Sequence, residues 1–577
     1  MITKPKPFFV AGRFRTAGIR RWLQTVSACL LPVAALAQAP LPSTGRLPAR
    51  MAQATTDSVA MPDIRQAPAP TTAPSDGPTV DVVEFRLTGI STTQARDLLP
   101  LLDRYLGKSK TLADLEATAQ GAQAALQRTG LFLAQVYVPA QDVVDGIVTL
   151  AVLEGRLGEI RLEVDDGVQV SRAFIEEVIA PLRGNPVAER GYVERALFTL
   201  SDLRGLSVTS TLSAGEHPGY ADLTLKIAAG PRVGGYVEVD NYGSTFTGVY
   251  RLSVSLDWLS PGGLGDVASL NALTSTNGGT QFASGLWLAP INARGTRAGF
   301  STTYLQYRLG TQTFEPLAAK GTAGSIAVQL LHPLVRSRDD NVVLQASAER
   351  RKSDDRVEAI PLDTKKNWAS YVTLGAAGDS RDDALGGGTN NYWAHFIAGR
   401  LSIDSATDLE VDQSPTGYHS AGSYTKLVLF GSRVQQLPTG GLLYLTASAQ
   451  AAQKNLDSSE KFILGGPNGV RGYPAGDSPS DSGALLTWEY RTPLRLESLT
   501  GNLVLSLFGD YGFGRIHQKP LLTDTRNIRR VVSHGLGLVF SDIGGWFARA
   551  YVAARGGVPA QSDDSRVRLW MLAGKQF

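Results

Sequence analysis

The chain has 577 residues, of which 43% are hydrophobic and 61 are glycine, and its formal net charge is +3. That length exceeds one ordinary domain, and the near-neutral balance excludes nucleic acid as an expected partner. Mean hydropathy is −0.06, and past the N-terminus no apolar run reaches the ~18 residues of a spanning helix, which argues against a helical membrane protein.

In chain order, Lys4, Lys6, Arg13, Arg15, Arg20 and Arg21 precede an apolar stretch from Trp22 to Leu36, and Ala35-Leu36-Ala37 before Gln38 is an A-x-A cleavage pattern. Residues 1–37 therefore read as a signal peptide. The single cysteine, Cys29, falls within it. A cysteine-free exported chain suits a Gram-negative periplasm and outer membrane. Residues 38–79 are rich in Pro, Ala and Thr and read as a linker.

Two similar units follow. In the first, Val82–Leu87 alternates as a strand, Thr92–Tyr105 and Leu112–Arg128 have helical spacing, and Leu131–Val138 with Gly146–Leu153 reads as a strand pair. The second repeats the order with a strand at Glu159–Val164, helices at Ser171–Pro181 and Ala188–Leu203, and strands at Ser207–Leu212 and Ala221–Ile227. A tandem β-α-α-β-β unit of this size resembles the POTRA domain, which assigns 80–155 to POTRA 1 and 156–230 to POTRA 2.

From 231 to 577 the pattern changes to short alternating segments. In the clearest, Tyr250, Leu252, Val254, Leu256 and Trp258 share one face, and Arg251, Ser253, Ser255 and Asp257 share the other. Lipid-facing and lumen-facing residues alternate in this way in a transmembrane barrel. About sixteen such segments fit the stretch, each spanning with ~9–11 residues. Connections after odd-numbered segments are mostly long and those after even-numbered ones mostly short, as expected for outer loops and periplasmic turns. The predicted fold is α+β tandem domains followed by an antiparallel barrel of about 16 strands.

The long connection after segment eleven contains Val470-Arg471-Gly472-Tyr473, and segment thirteen contains Phe508-Gly509-Asp510-Tyr511-Gly512. Asp510 is in phase with Ser506 and out of phase with Leu503, Leu505 and Leu507, so it faces the lumen. A loop arginine and a lumen aspartate would form a buried ion pair, which fixes a loop's position more than it stabilises a fold. The chain closes on Phe577 after Val567, Leu569, Met571 and Ala573 on one face, the pattern of a barrel-insertion signal.

The signal, two POTRA-like units and the barrel together resemble the two-partner secretion transporters (TpsB type, the hemolysin secretion/activation proteins). Asp240-Asn241-Tyr242-Gly243-Ser244 looks like the start of the family's barrel, and Ser260-Pro261-Gly262-Gly263-Leu264-Gly265-Asp266 like its first periplasmic turn. The stretch Gly465–Tyr473 resembles the family's loop motif, and Leu507–Gly512 its strand motif. The resemblance implies that the loop folds into the lumen, where Arg471 pairs with Asp510. It also implies export of one large partner exoprotein of adhesin or hemolysin type, captured by periplasmic POTRA units, with activation on the way as an option the resemblance leaves open. Barrel-assembly machinery, periplasmic chaperones and outer-membrane lipid would be further partners, and 38–79 is either a plain linker or a pore plug.

Three rivals are an insertase of the same superfamily, a passive porin and an enzyme. Two POTRA units are fewer than insertases usually carry, and a porin needs none. The six histidines (His217, His332, His395, His419, His517, His534) have no metal-ligand spacing, and no P-loop or G-x-S-x-G elbow occurs. No catalytic residue, metal or cofactor is expected.

Overall fold

The computed structural model describes residues 79–184, 187–310, 318–358, 365–438, 440–494, 500–522 and 524–577. The expected signal peptide, and all of the linker except Thr79, lie outside them. The first unit runs β1 (Val80–Val82), β2 (Glu84–Thr88), α1 (Thr92–Leu102), β3 (Gly107–Lys110), α2 (Leu112–Arg128), β4 (Gln135–Tyr137) and β5 (Ile147–Leu153). Its sheet order is β2-β5-β4, with β2 parallel to β5. Helix α2 starts at a capping box in which Thr111 and Asp114 satisfy each other's backbone N–H groups. Its inner face, with Leu115, Ala119 and Leu126, packs with Phe85, Leu98 and Val148.

The second unit comprises β6 (Arg156–Val164), α3 (Arg172–Gly184), α4 (Arg190–Ser201), β7 (Leu206–Ala214) and β8 (Tyr220–Ala229), in sheet order β6-β8-β7. Phe132 of the first unit is buried in this second core. Residues 131–134, expected to be strand, instead send Leu131 and Ala134 into the first core and Phe132 and Leu133 against the second. The pair β1 and β3 was not anticipated from sequence because each is too short to show a period.

The barrel begins with β9 (Val233–Asp240), β10 (Arg251–Leu259), β11 (Val267–Ser275), β12 (Thr280–Pro290), β13 (Arg297–Arg308) and β14 (Ala319–Arg336). It continues through β15 (Asp340–Val357), β16 (Lys365–Asp382), β17 (Gly388–Ile403), β18 (Gly422–Gln436) and β19 (Leu442–Ala452). A small lumen ribbon, β20 (Phe462–Ile463) and β21 (Pro479–Ser480), follows. The wall is completed by β22 (Ser482–Leu494), β23 (Asn502–Arg515), β24 (Ile528–Ser541), β25 (Trp546–Gly557) and β26 (Val567–Gln576). Sixteen antiparallel strands close into one barrel. Strands β14, β15 and β16 have 18 residues each, well beyond the expected spanning length, so the wall projects past the membrane.

Closure occurs between β26 and β9, whose register runs only from Leu572↔Asp240 to Gln576↔Tyr236. Asn241 extends it with its side chain: its Nδ2 donates to Leu569 O at 2.8 Å, and its Oδ1 accepts from Met571 N–H at 2.7 Å. Phe577 and Gly235 exchange both backbone hydrogen bonds.

The second unit sits on three periplasmic turns. Asp266, fully buried, accepts from Gly262 N–H and Trp287 Nε1 and so fixes the turn 260–266. Gly265 O of that turn accepts from Arg204 N–H at 3.0 Å. Asp202, which caps α4, holds Arg336 through two hydrogen bonds of 2.8 and 3.0 Å, and its carbonyl accepts from Arg297. The Arg336 guanidinium also lies over the Phe198 ring.

Glu194, on α4, is buried at this junction, where its Oε2 accepts from Arg338 N–H at 3.2 Å. Loss of water raises its carboxyl above the usual carboxylate range, partly offset by that N–H. A raised carboxyl favours the docked state fully below its undocked value and loses that contribution as pH rises through the docked value. Glu194→Gln keeps the acceptor without the charge. It should leave hydrogen-exchange protection of α4 unchanged at low pH and increase it at pH 8, relative to wild type at the same pH.

Candidate functional site in the barrel lumen

The connection 453–481 follows the eleventh barrel strand and turns inward. Tight local bonds shape it: Val470 N–H donates to Leu464 O at 2.8 Å, Gly465 N–H to Asp477 O at 3.0 Å, and Tyr473 N–H to Val470 O at 3.0 Å. Val470, Tyr473, Leu464 and Val531 form one buried cluster. The Tyr473 hydroxyl donates to the carbonyls of Gly556 and Val558, at 3.0 and 2.8 Å. The loop is thus seated by apolar packing on the wall and anchored at its tyrosine to β25.

Arg471 lies between these anchors and is 4% exposed. Its Nε and Nη2 donate to Asp510 at 3.1 and 2.8 Å, a bidentate pair, and its backbone N–H donates to the same carboxylate at 3.0 Å. Nη1 donates to Glu489 of β22 at 2.9 Å. The guanidinium stacks over Phe508, with its central carbon 3.4 Å from the ring centroid, and lies 4.9 Å from that of Tyr551. Ser533 of β24 donates to Asp510 at 2.7 Å, and Trp570 Nε1 of β26 donates to Arg471 O at 2.7 Å. Five consecutive strands, β22 to β26, therefore converge on one loop residue.

Sequence reasoning placed Arg471 in the loop after strand eleven and Asp510 on the lumen face of strand thirteen, and the structure brings the two together. Phe508 is fully buried beneath the guanidinium. Gly512 lets the loop approach: a Cβ there would lie 2.6 Å from Val531 Cγ2 and 3.0 Å from Val470 Cγ2. Phe577 is remote from this cluster, at the seam with Gly235. Glu489, Ser533, Tyr551 and Trp570 were missed, because their convergence depends on barrel register. Alternation alone would have given each its lumen-facing side.

The ends of the loop are also tied by charge. Lys461 meets Asp481 at 2.7 Å, both buried. Glu460 meets Lys426 of β18, beside the strand the loop leaves, at 2.8 Å and Arg351 of β15, farther round the wall, at 3.2 Å. The connection is a strut that crosses the lumen between two regions of the wall. A hydrated sixteen-stranded lumen is wide enough to be a pore, so this strut obstructs it.

Gly472 shows how closely the strut fits. A Cβ on it would sit 2.8 Å from Ser533 Cβ and 2.9 Å from Arg555 Cα. Gly472→Ala should unseat the tip at a cost of about 1–3 kcal/mol. Trypsin cleavage after Arg471, blocked by burial in the wild type, should then appear while the barrel remains folded.

The chain matches the family model for the haemolysin secretion/activation protein ShlB/FhaC/HecB over residues 219–539, and that for the ShlB-type POTRA domain over 80–155. It is 29% identical over 460 residues to the heme/hemopexin transporter protein HuxB of Haemophilus influenzae (strain 86-028NP), covering 79% of this chain and 80% of that protein. It is 23% identical over 417 residues to the outer membrane transporter CdiB of Escherichia coli, covering 70% and 67%. The solved structure of CdiB from Escherichia coli superposes with a TM-score of 0.69 at 18% identity, covering 98% of this chain and 99% of that one. CdiB from Acinetobacter baumannii gives 0.62 at 18% identity, covering 98% and 100%.

Proposed function

The chain belongs to the haemolysin secretion/activation protein family, the outer-membrane transporters of two-partner secretion, and from that premise we propose how it moves its secreted partner. The partner's secretion domain is captured in the periplasm by residues 80–155 and 156–230, acting as two POTRA domains. Edge strands β6 and β7 of the second unit offer backbone N–H and C=O groups for strand addition, which demands little of the cargo's sequence. The cargo then threads the barrel, 231–577, and folds outside. Folding at the surface drives export, since the sequence carries no P-loop.

The observation that carries the mechanism is the buried bidentate pair of Arg471 with Asp510. In this reading the pair holds the strut in the transport-competent position and lets it yield as a unit when cargo enters. Residues 1–37 act as the signal peptide, and 38–79 as linker or plug. Phe577, bonded to Gly235, serves as the insertion signal read by the barrel-assembly machinery after chaperones deliver the chain. The cargo is one large exoprotein of adhesin or hemolysin type, whose activation during export belongs to the same proposal. Likeness to a heme/hemopexin transporter adds cargo connected with heme or hemopexin.

Comparing proteins released by native cells with and without this chain, by mass spectrometry, tests the assignment. Loss of one large exoprotein is expected, whereas broad loss of unrelated barrels would favour an insertase. Arg471→Ala leaves Asp510 and Glu489 buried without their cation, a change that costs about 3–5 kcal/mol at such sites. The variant should insert normally yet secrete at least ten-fold less. Arg471→Lys, which keeps charge but loses the fork and the stack, should fall between. Normal secretion by stably inserted Arg471→Ala would refute the role of the pair.

A further inference from the structure

The outward surface of the barrel carries basic residues near its outer rim. On β15, β16 and β17 the lipid-facing positions are apolar up to Ala348, Val372 and Ala398, which register across neighbouring strands. The next outward rung holds Arg350, Ser370 and Arg400, and two rungs further Lys366 follows on β16. Arg350, Lys366 and Arg400 are all exposed. On β23 and β24 the outward positions near the outer ends are Tyr511 and Val532, with Arg515 and Arg530 exposed beyond them.

Nearby carboxylates are already engaged. Asp354 lies 3.3 Å from Lys352, and Asp404 accepts from Trp368 Nε1 at 3.0 Å. Among the described residues no carboxylate is within ion-pair distance of Arg350, Lys366 or Arg400. Arg350 instead lies over an aromatic ring, with its guanidinium 4.6 Å from the centroid of Trp368. An indole at the membrane boundary is a girdle residue, so this stack fixes a cation at head-group level. Arg350 and Arg400 are two strand spacings apart, about 10 Å, which suits a disaccharide bearing a phosphate at each end.

We propose that this patch binds a phosphorylated, acylated glycolipid of the outer leaflet, its phosphates meeting Arg350 and Arg400 and its acyl chains lying along Val372, Leu374 and Phe396. Unpaired basic side chains facing a bilayer are costly, most at the midplane and less towards the interface. Phosphate oxygens at that level remove the cost through charge-assisted bonds. Lys366, farther out on β16 between them, would meet the anionic saccharide core.

Titration of the full chain in neutral detergent micelles against a diphosphorylated disaccharide lipid, read by native mass spectrometry, tests this. Wild type should retain the lipid, and the triple variant R350Q/K366Q/R400Q should bind it at least ten-fold more weakly. The fully dephosphorylated lipid should bind wild type no better than the triple variant binds the phosphorylated form. R400Q alone, which breaks no side-chain bond within the protein, should weaken binding measurably if the triple variant fails to fold. Equal binding by wild type and R400Q, or indifference to phosphate removal, would overturn the proposal. So would inorganic pyrophosphate binding as tightly as the lipid, since the site would then be for a soluble anion.

Discussion

A guanidinium taken out of water inside a barrel must be met by anions that the wall holds in place. Arg471 imposes that requirement, and much of the lumen between β22 and β26 answers it. Asp510 receives both the fork and the backbone N–H, Glu489 takes the remaining nitrogen, and Phe508 and Tyr551 supply π faces. Ser533 and Trp570 then fix the carboxylate and the loop carbonyl. Burying charge is seldom a source of net stability, and its better-attested use is to define one geometry among several. A strut held this way is either fully seated or unseated, because half-formed contacts leave charges unpaired in a medium of low dielectric.

The same chemistry recurs at the periplasmic mouth. Asp202 of the second unit grips Arg336 with two bonds, while the turn at 260–266 receives Arg204. The second unit is therefore oriented by the barrel, and the first is oriented by the second through Phe132. A captured segment would be presented to the mouth from a fixed direction. The docking of the second unit and the seating of the strut are thus held by separate ion pairs.

Much of this was legible in the sequence. Period-two alternation located all sixteen strands, and the phase of Asp510 against Leu503, Leu505 and Leu507 gave its lumen side, which its 3% exposure matches. Two things were hidden. Strand length was underestimated because β15 continues through Arg350, Lys352 and Asp354, where outward residues become polar while the hydrogen-bonded ladder persists. The partners of Arg471 other than Asp510 were invisible because Glu489, Ser533 and Trp570 are brought together by stagger between strands, which no local pattern encodes. The docking bonds of Asp202 are hidden for a related reason: they join a helix cap to two strand ends, 95 and 134 residues away.

The seam where the last strand meets the first has a mechanical meaning. A closed ring under radial load parts first where its ladder is shortest. Registered pairing of β26 with β9 stops at Leu572↔Asp240, whereas β14 and β15 are laddered from Ala319↔Val357 to Arg336↔Asn341. Asn241 lengthens the short ladder with an amide that mimics a peptide group, a splice made of two hydrogen bonds. Trp570, which holds the carbonyl of Arg471, stands on the strand at this seam. Hoop tension and strut position are thus carried by one strand, so a polypeptide wide enough to strain the ring also pulls on the residue that seats the obstruction.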